Sequence, residues 1–434
     1  MSSDAKTEQF DCGIGTDRIS NLPGNLIDHI LKCLPLRDAV RTSTLSKAWR
    51  DKWVMLTCLR FDDDFFIQLL SKMTTKDEET QISEVLRIVS GVLLTLNGPI
   101  LEFRLFIPDD LPLHKYPAFI HWIRNISKNG VKILKLRNKG SSAYEIPSYF
   151  FSCSKLTHLK LESCILNPPL KSGGFCNLIR VKLVNVTITT AMSFGTQLSE
   201  LYLECCAGIE HLGDHFKYKN NITLLSIWSC GEVEWKWFEC TQKVENLCLA
   251  FNEEAKQTMD LDKLVDEMPN IHTLQLDGLV LKSLETGAAV MQRPTTMEKL
   301  KDISLYDLEC DLLQIQNVLC LIRISPKLRY LYVHLNSGNY TNVAPSMELK
   351  VLQFLQSTHL IDFIPNQLET VEIDGMVGSV ELEFIKLLLA SSPSLRCMNL
   401  LNPSIDDFEQ AFRISRELMR FPRASAAAQI IWLN

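Results

Sequence analysis

Residues 156–166 read LTHLKLESCIL. Apolar residues stand at 156, 159 and 161, the last two separated by one polar position. Side chains alternate across an extended chain, so Leu159 and Leu161 share one face of a short strand while His158 and Lys160 share the other. The same apolar-x-x-apolar-x-apolar unit recurs at Ile100/Phe103/Leu105, Val131/Leu134/Leu136, Leu178/Val181/Leu183, Leu198/Leu201/Leu203, Ile222/Leu225/Ile227 and Val244/Leu247/Leu249. Further copies stand at Ile271/Leu274/Leu276, Leu300/Ile303/Leu305, Leu328/Leu331/Val333, Leu349/Leu352/Phe354, Leu368/Val371/Ile373 and Leu395/Met398/Leu400, thirteen in all. One such strand cannot bury its own apolar face; strands stacked in parallel bury a shared one.

Successive copies start 19 to 31 residues apart, and most intervals match the leucine-rich repeat, which LTHLKLESCIL resembles through its full L-x-x-L-x-L-x-x-N/C-x-L pattern. Cys164, Cys206, Cys230, Asn252 and Asn336 occupy the N/C slot, where the resemblance implies a buried side chain that satisfies the turn leaving the strand. Helices are expected at 77–96, 309–323 and 380–390 from their apolar spacing. The acidic FDDDFF run at 61–66 is read as a solvated turn at the end of a strand. Thirteen strands at ~4.8 Å spacing would present a face on the order of 60 Å long, suited to a protein or long peptide. Partners generally bind the strand face of a solenoid, and aromatic residues favour such contacts. Tyr202, Trp228, Tyr306, Tyr330 and Tyr332 are therefore the candidate target-binding residues, and His158 and His272 stand at neighbouring polar positions.

Upstream of the repeats, Asp17–Trp53 reads DRISNLPGNLIDHILKCLPLRDAVRTSTLSKAWRDKW. Leu22, Leu26, Ile27, Ile30, Leu31 and Leu34 form one helical stripe, which Pro23 opens and Pro35 ends. A second short segment carries Ala39 and Val40, and a third helix is expected from Ser46, with Trp49 and Trp53 on one face. About 40 residues cannot bury all this apolar surface, so part of it is expected to face a partner. Leu22-Pro23, Leu26-Ile27, Ile30-Leu31, Leu34-Pro35-Leu36, Leu45-Ser46 and Trp49-Arg50 resemble the F-box in its plant form. The resemblance implies docking onto the Skp-type adaptor of a cullin–RING ubiquitin ligase. The implied contacts are Leu22, Pro23, Leu26, Ile30, Leu31, Leu34, Pro35, Leu45, Ser46 and Trp49. Trp53 is expected to join this unit to the first repeats.

At the other end, residues 367–400 and 417–432 resemble the FBD module that closes many plant F-box proteins: strand, Gly375/Gly378 turn, helix, strand, then a helix ending near Phe421-Pro422. Such a cap would cover the open edge of the stack. The expected architecture is α/β: a leader over 1–16, a three-helix F-box over 17–60, an irregular leucine-rich-repeat solenoid over 61–360 and an FBD-like cap over 361–434.

Composition narrows the function. A net charge of −6 argues against a nucleic-acid grip, which needs a basic stripe. No run of 18 apolar residues and no signal-peptide core occur, so a soluble, cytoplasmic or nuclear protein without a membrane partner is expected. Fourteen scattered cysteines read as reduced thiols, with no C-x-x-C pair for zinc. The N-x-S/T matches at Asn125, Asn185, Asn221 and Asn339 are taken as chance. No phosphate-binding loop, metalloprotease motif or nucleophile elbow occurs, and Cys240 and Cys248 have neither an activating base nor zinc ligands. No cofactor and no catalytic residue are expected. The resemblance implies a non-catalytic receptor that tethers a target protein for ubiquitination. A scaffold acting outside the ligase, or a co-receptor with a small-molecule pocket, remains an alternative.

Overall fold

Apolar residues at every second position of a short strand need a neighbouring strand in the same register, and the chain supplies one after another. The computed structural model describes residue 19 and residues 22–73, 77–109, 111–140, 143–169, 175–212, 221–231, 233, 238, 241–254, 258–285, 296–336, 345–357, 365–375, 378–401 and 408–433. Residues 1–16, Cys240 and Asn339 lie outside this set. Two compact units emerge, Met1–Ser141 and Ser142–Asn434.

In the first unit, helix α1 (Gly24–Cys33) and helix α2 (Leu36–Arg41) each start behind a proline with extended ψ, Pro23 and Pro35. The expected third helix does not form. Thr42, Ser43 and Thr44 hydroxyls donate to the carbonyls of Ala39, Val40 and Arg41, three residues back, which favours a tighter turn over an α-helix. The chain then continues on i→i−3 bonds, Trp49 N–H to Ser46 and Lys52 N–H to Trp49, into a short 3-10 turn at Trp53–Met55.

Strand β1 (Cys58–Phe61) follows. Its Leu56/Leu59/Phe61 spacing is a repeat motif that precedes those recognised from sequence. FDDDFF is a helix start rather than a solvated turn: Asp62 Oδ1 accepts from Phe65 N–H, capping α3 (Asp63–Leu70). Asp63 and Asp64 lie in the first turn, where the helix dipole favours negative charge. Helix α4 (Glu78–Thr95) buries Ile82, Val85, Val89 and Leu93 as expected, but leaves Leu94 exposed. Helix α5 (Pro117–Lys128) joins it through Trp122 Nε1, which donates to Ser90 Oγ at 2.9 Å. Strands β2 (Glu102–Ile107) and β3 (Ile133–Asn138) complete a parallel β1-β2-β3 order.

In the second unit β4 (Tyr144–Glu145) lies beside β5 (His158–Leu166). The sheet continues through β6 (Arg180–Ile188), β7 (Glu200–Glu204), β8 (Leu224–Cys230) and β9 (Asn246–Phe251). A two-stranded pair, β10 (Met259–Asp260) and β12 (Leu284–Glu285), stands apart from it. Then come β11 (Thr273–Asp277), β13 (Asp302–Leu308), β14 (Tyr330–Leu335), β15 (Thr370–Asp374), β16 (Cys397–Leu401) and β17 (Gln429–Leu433), all parallel. The third apolar position of each motif meets its counterpart in register: Leu161, Leu183, Leu203, Ile227, Leu249, Leu276, Leu305, Val333, Ile373 and Leu400 form one buried ladder. The polar positions between them line the opposite face.

The motif expected at 349 is not a strand. Pro345–Leu355 is a helix that buries Val351 and Leu355, four residues apart, and exposes Met347 and Leu349; β14 pairs directly with β15. The 3.6-residue period of the buried positions prevails there over the apparent alternation. The helices expected near 309–323 and 380–390 are present as Leu312–Arg323 and Ser379–Ser391. The chain goes beyond the expected last helix (Phe408–Leu418) to add β17, whose Trp432 pairs with Leu400.

A backbone device recurs within or just after the strands. Ser163, Asn185, Cys205, Ser229 and Asp307 all hold φ between 50° and 57°, each seven residues after its motif start. A left-handed residue costs a non-glycine ~1–2 kcal/mol, and here it re-aims the next side chain inward: Cys164, Val186, Cys206, Cys230 and Leu308 are all buried. Cys206 Sγ donates to the Leu183 and Glu204 carbonyls, and Cys230 Sγ accepts the Cys206 N–H at 3.3 Å. These cysteines satisfy the turn as expected. Asn252 does not take the slot, being exposed, and Asn336 is half-buried. At β9 the work passes to Asp277, whose carboxylate accepts the N–H groups of Phe251 (2.9 Å) and Val280 (2.8 Å).

Candidate functional site

On the first unit, α1 divides its apolar residues between inside and outside. Ile27 and Leu31, four apart, are buried. Leu26 and Ile30, also four apart, are 46% and 38% exposed. Pro23 and Pro35 are exposed, Leu22, Leu34 and Ser46 are half-buried, and Leu45 is 65% exposed. Two of the ten residues put forward for adaptor contact are corrected. Leu31 belongs to the buried stripe, and Trp49 is 2% exposed, its indole N–H donating to the Ile19 carbonyl at 3.3 Å. A side chain already packed on its own core offers no surface to a partner. Ile19 and Met55, at 58% and 50% exposure, extend the set of outward apolar residues; both fall outside the helical stripe, so periodicity could not flag them.

Trp53 is only half-buried. Backbone bonds link this segment to the first strands: Val54 C=O accepts Asn97 N–H at 2.9 Å, and Thr57 C=O accepts the N–H groups of Leu101 and Glu102.

On the second unit, the solvent face of the sheet gathers four of the five candidate aromatics. Trp228 on β8 and Tyr306 on β13 meet edge to face with centroids 5.4 Å apart, and Tyr306 lies 5.6 Å from Tyr332 on β14. In the row between Trp228 and Tyr306 stand Ala250 and Asp277, both buried. Tyr330 and Tyr332 hydroxyls donate to Glu372 Oε2 (2.8 Å) and Asp374 Oδ2 (3.0 Å), and Asn399 Nδ2 donates to the other Glu372 oxygen. Burial and these neighbouring carboxylates push both phenols up, so they remain donors at neutral pH.

Tyr202 stands apart from this cluster. It sits among Arg180–Glu200 (2.6 Å) and Lys182–Glu204 (3.5 Å), with the Lys182 ammonium 5.9 Å from its ring centre. His158 is held by the Thr157 hydroxyl and His272 is half-buried. Neither histidine joins the cluster.

Burial pushes the Cys248 thiol up to about 11 and the Cys153 thiol to about 12, away from the thiolate needed for nucleophilic chemistry. Among the described residues no group of three His, Cys, Asp or Glu side chains is placed to hold a metal ion, and no helix is long and apolar enough to cross a membrane.

Comparison with known proteins bears on both surfaces. The F-box domain family matches residues 19–61. An Arabidopsis thaliana F-box/FBD/LRR-repeat protein is 29% identical over 442 residues, covering 97% of this chain and all of the relative. The chain carries an F-box domain and is similar over its length to Arabidopsis F-box/FBD/LRR-repeat proteins. An FBD-associated F-box protein of the same plant is 24% identical over 99% of the chain and all of the relative, and an F-box/LRR-repeat protein is 31% identical over 44% of the chain and 47% of the relative. In F-box/FBD/LRR-repeat terms, the architecture is α/β: N-terminal F-box helices, a run of irregular leucine-rich repeats and a C-terminal FBD-type end. Its F-box lies within the first compact unit, which also holds the first three repeat strands.

Proposed function

We propose that this F-box protein is a non-catalytic receptor of a cullin–RING ubiquitin ligase, holding a Skp-type adaptor with its F-box surface and a target protein with its sheet face. The single observation that carries the reading is the two-faced α1. Ile27, Leu31, Leu36, Ala39 and Trp49 already fill the small core, yet Leu26, Ile30, Leu45 and both prolines stay outside. Clustered apolar residues left exposed around a filled core mark a protein-binding surface. The receptor itself forms no bond; tethering raises the effective concentration of target beside the conjugating enzyme.

The test is capture of a purified Skp-type adaptor by the full chain. Each Leu or Ile buried on binding contributes about 1.5–3 kcal/mol. Leu26→Ala with Ile30→Ala should therefore weaken capture by at least about 100-fold, while melting temperature stays within about 2 °C because both side chains are exposed. Unchanged capture by the folded double variant would sink the reading.

A second reading, a co-receptor that uses a small molecule, draws on a cavity of about 880 Å³ in the second unit, lined by Leu279, Leu312, Met347, Val351 and Val380 with Lys282 at its polar side. That size suits a small ligand. A thermal-shift screen of the full chain in which no compound raises the melting temperature would remove it.

A further inference from the structure

The two ends of the sheet's solvent face differ in charge. Strands β5, β6 and β7 carry Lys160, Arg180 and Lys182 with Glu162, Glu200 and Glu204. These cations and carboxylates pair: Lys160–Glu162 at 3.9 Å, Arg180–Glu200 at 2.6 Å, Lys182–Glu204 at 3.5 Å. The five strands β11, β13, β14, β15 and β16 contain no Lys or Arg at all, yet carry the buried Asp277 together with Asp302, Asp307, Glu372 and Asp374. Lys301 and Arg329 stand just before β13 and β14, and His334 lies against Asp307 at 3.3 Å. Asp302 and Glu372 make no ion pair among the described residues; Glu372 accepts only neutral donors, Tyr330 and Asn399.

Against these carboxylates stand the rings of Trp228, Tyr306 and Tyr332. A cation within about 6 Å of an aromatic face is attracted by the ring quadrupole, and a guanidinium can stack on a ring while its N–H fork meets a carboxylate. At Tyr202 the chain provides such a cation itself, Lys182. Among the described residues no Lys or Arg lies over Trp228, Tyr306 or Tyr332. Ring faces and acidic groups sit side by side, and among the described residues these strands carry no Lys or Arg to supply the complementary charge.

We propose that the β8–β15 part of the sheet face binds a cationic, arginine- or lysine-bearing segment of a protein partner, seated across Trp228, Tyr306 and Tyr332 and flanked by Asp302 and Glu372. The proposal rests on the receptor reading above and supplies the chemical class of its target. The segment lies extended along the face, its cations alternating between ring and carboxylate.

The experiment uses the full chain and three fluorescent twelve-residue peptides, glycine alternating with arginine, with serine or with glutamate, measured by anisotropy at about 0.15 M salt. The arginine peptide is expected to bind about tenfold or more tighter than the serine peptide, and the glutamate peptide weakest. Asp302→Asn with Glu372→Gln should weaken it about fivefold or more, whereas Glu200→Gln with Glu204→Gln, the same change in net charge, should leave it within about twofold. Tyr306→Ala should weaken it and Tyr306→Phe restore it, with melting curves showing both variants folded; Trp228→Phe provides a second ring-preserving check.

Equal binding of the arginine and serine peptides overturns the proposal. So does equal loss from the two charge-neutralised pairs, or indifference to Tyr306→Ala in the folded variant. Adaptor capture is measured on the same preparation. A chain that captures the adaptor but takes up no arginine peptide refutes the cationic segment alone, while one that binds the peptide and no adaptor refutes the ligase reading alone.

Discussion

Helix α1 and the strands of the second unit solve the same problem with different periods. On α1, buried and exposed apolar residues interleave at helical spacing, so adjacent residues such as Ile30 and Leu31 point apart, one 38% and one 1% exposed. On β5, Lys160 and Leu161 are divided by the alternation of a strand, the lysine half-buried and the leucine fully buried. The difference lies in what is left outside. The helix leaves hydrocarbon, because its unit has more apolar residues than its small core can hold. The strands leave polar and aromatic side chains, because the long stack absorbs every leucine of the motif.

Paired substitutions test this division most sharply. Leu161→Ala and Leu31→Ala should each cost about 2–5 kcal/mol in denaturant unfolding, with Leu161→Ala the larger because its ladder cannot collapse around a cavity. Their neighbours, Lys160→Ala and Ile30→Ala, should stay within about 0.5–1 kcal/mol of wild type. Comparable losses from inside and outside members would break the comparison.

A smaller effect is expected at the strand ends of the second unit, which have no counterpart on α1. Ser229 holds φ 50°, and a β-branched residue is strongly disfavoured there. Ser229→Val should cost about 1–2 kcal/mol, while the same change at exposed Ser71, whose backbone is helical, should cost clearly less. Equal costs would mean that side-chain loss, not backbone strain, dominates.

The smallest effect is pH-linked. Burial pushes the Asp277 carboxyl up to about 6 even though it accepts two backbone N–H bonds. A carboxyl whose pKa is higher folded than unfolded binds more protons in the folded state, so its contribution is fully present below about pH 4 and declines as pH rises to 6. The stability of wild type relative to Asp277→Asn should therefore fall between pH 4 and pH 6 and level off above; a difference that is flat or rising in melting curves across that window would contradict the assignment.

Legibility from sequence followed the same division. Twelve of the thirteen motifs became strands because two alternating leucines in a short window have few alternatives. At 349 the alternation was shared with a helical spacing, and burial of Val351 and Leu355 decided for the helix. β1 and β17 were hidden for the opposite reason: β1 lies 44 residues before the next motif, outside repeat spacing, and β17 carries Trp432 where leucine was sought. In the aromatic cluster, residue type marked Trp228, Tyr306, Tyr330 and Tyr332, but the contact of Trp228 with Tyr306 bridges two intervening strands. No local window contains that proximity.

Sequence by itself determined the parallel repeat stack, the positions of the prolines that bound α1 and the F-box motif, because each depends on residue type at short, regular spacing. Tertiary structure alone decided which apolar residues of the F-box remain available, since Leu31 and Trp49 share the composition of their exposed neighbours and differ only in what packs against them. It also decided that one end of the sheet face neutralises its own charge while the other joins aromatic rings to unneutralised carboxylates, because, apart from Lys160–Glu162 within β5, those pairings are made between strands about 20 to 40 residues apart and by the register that stacks them.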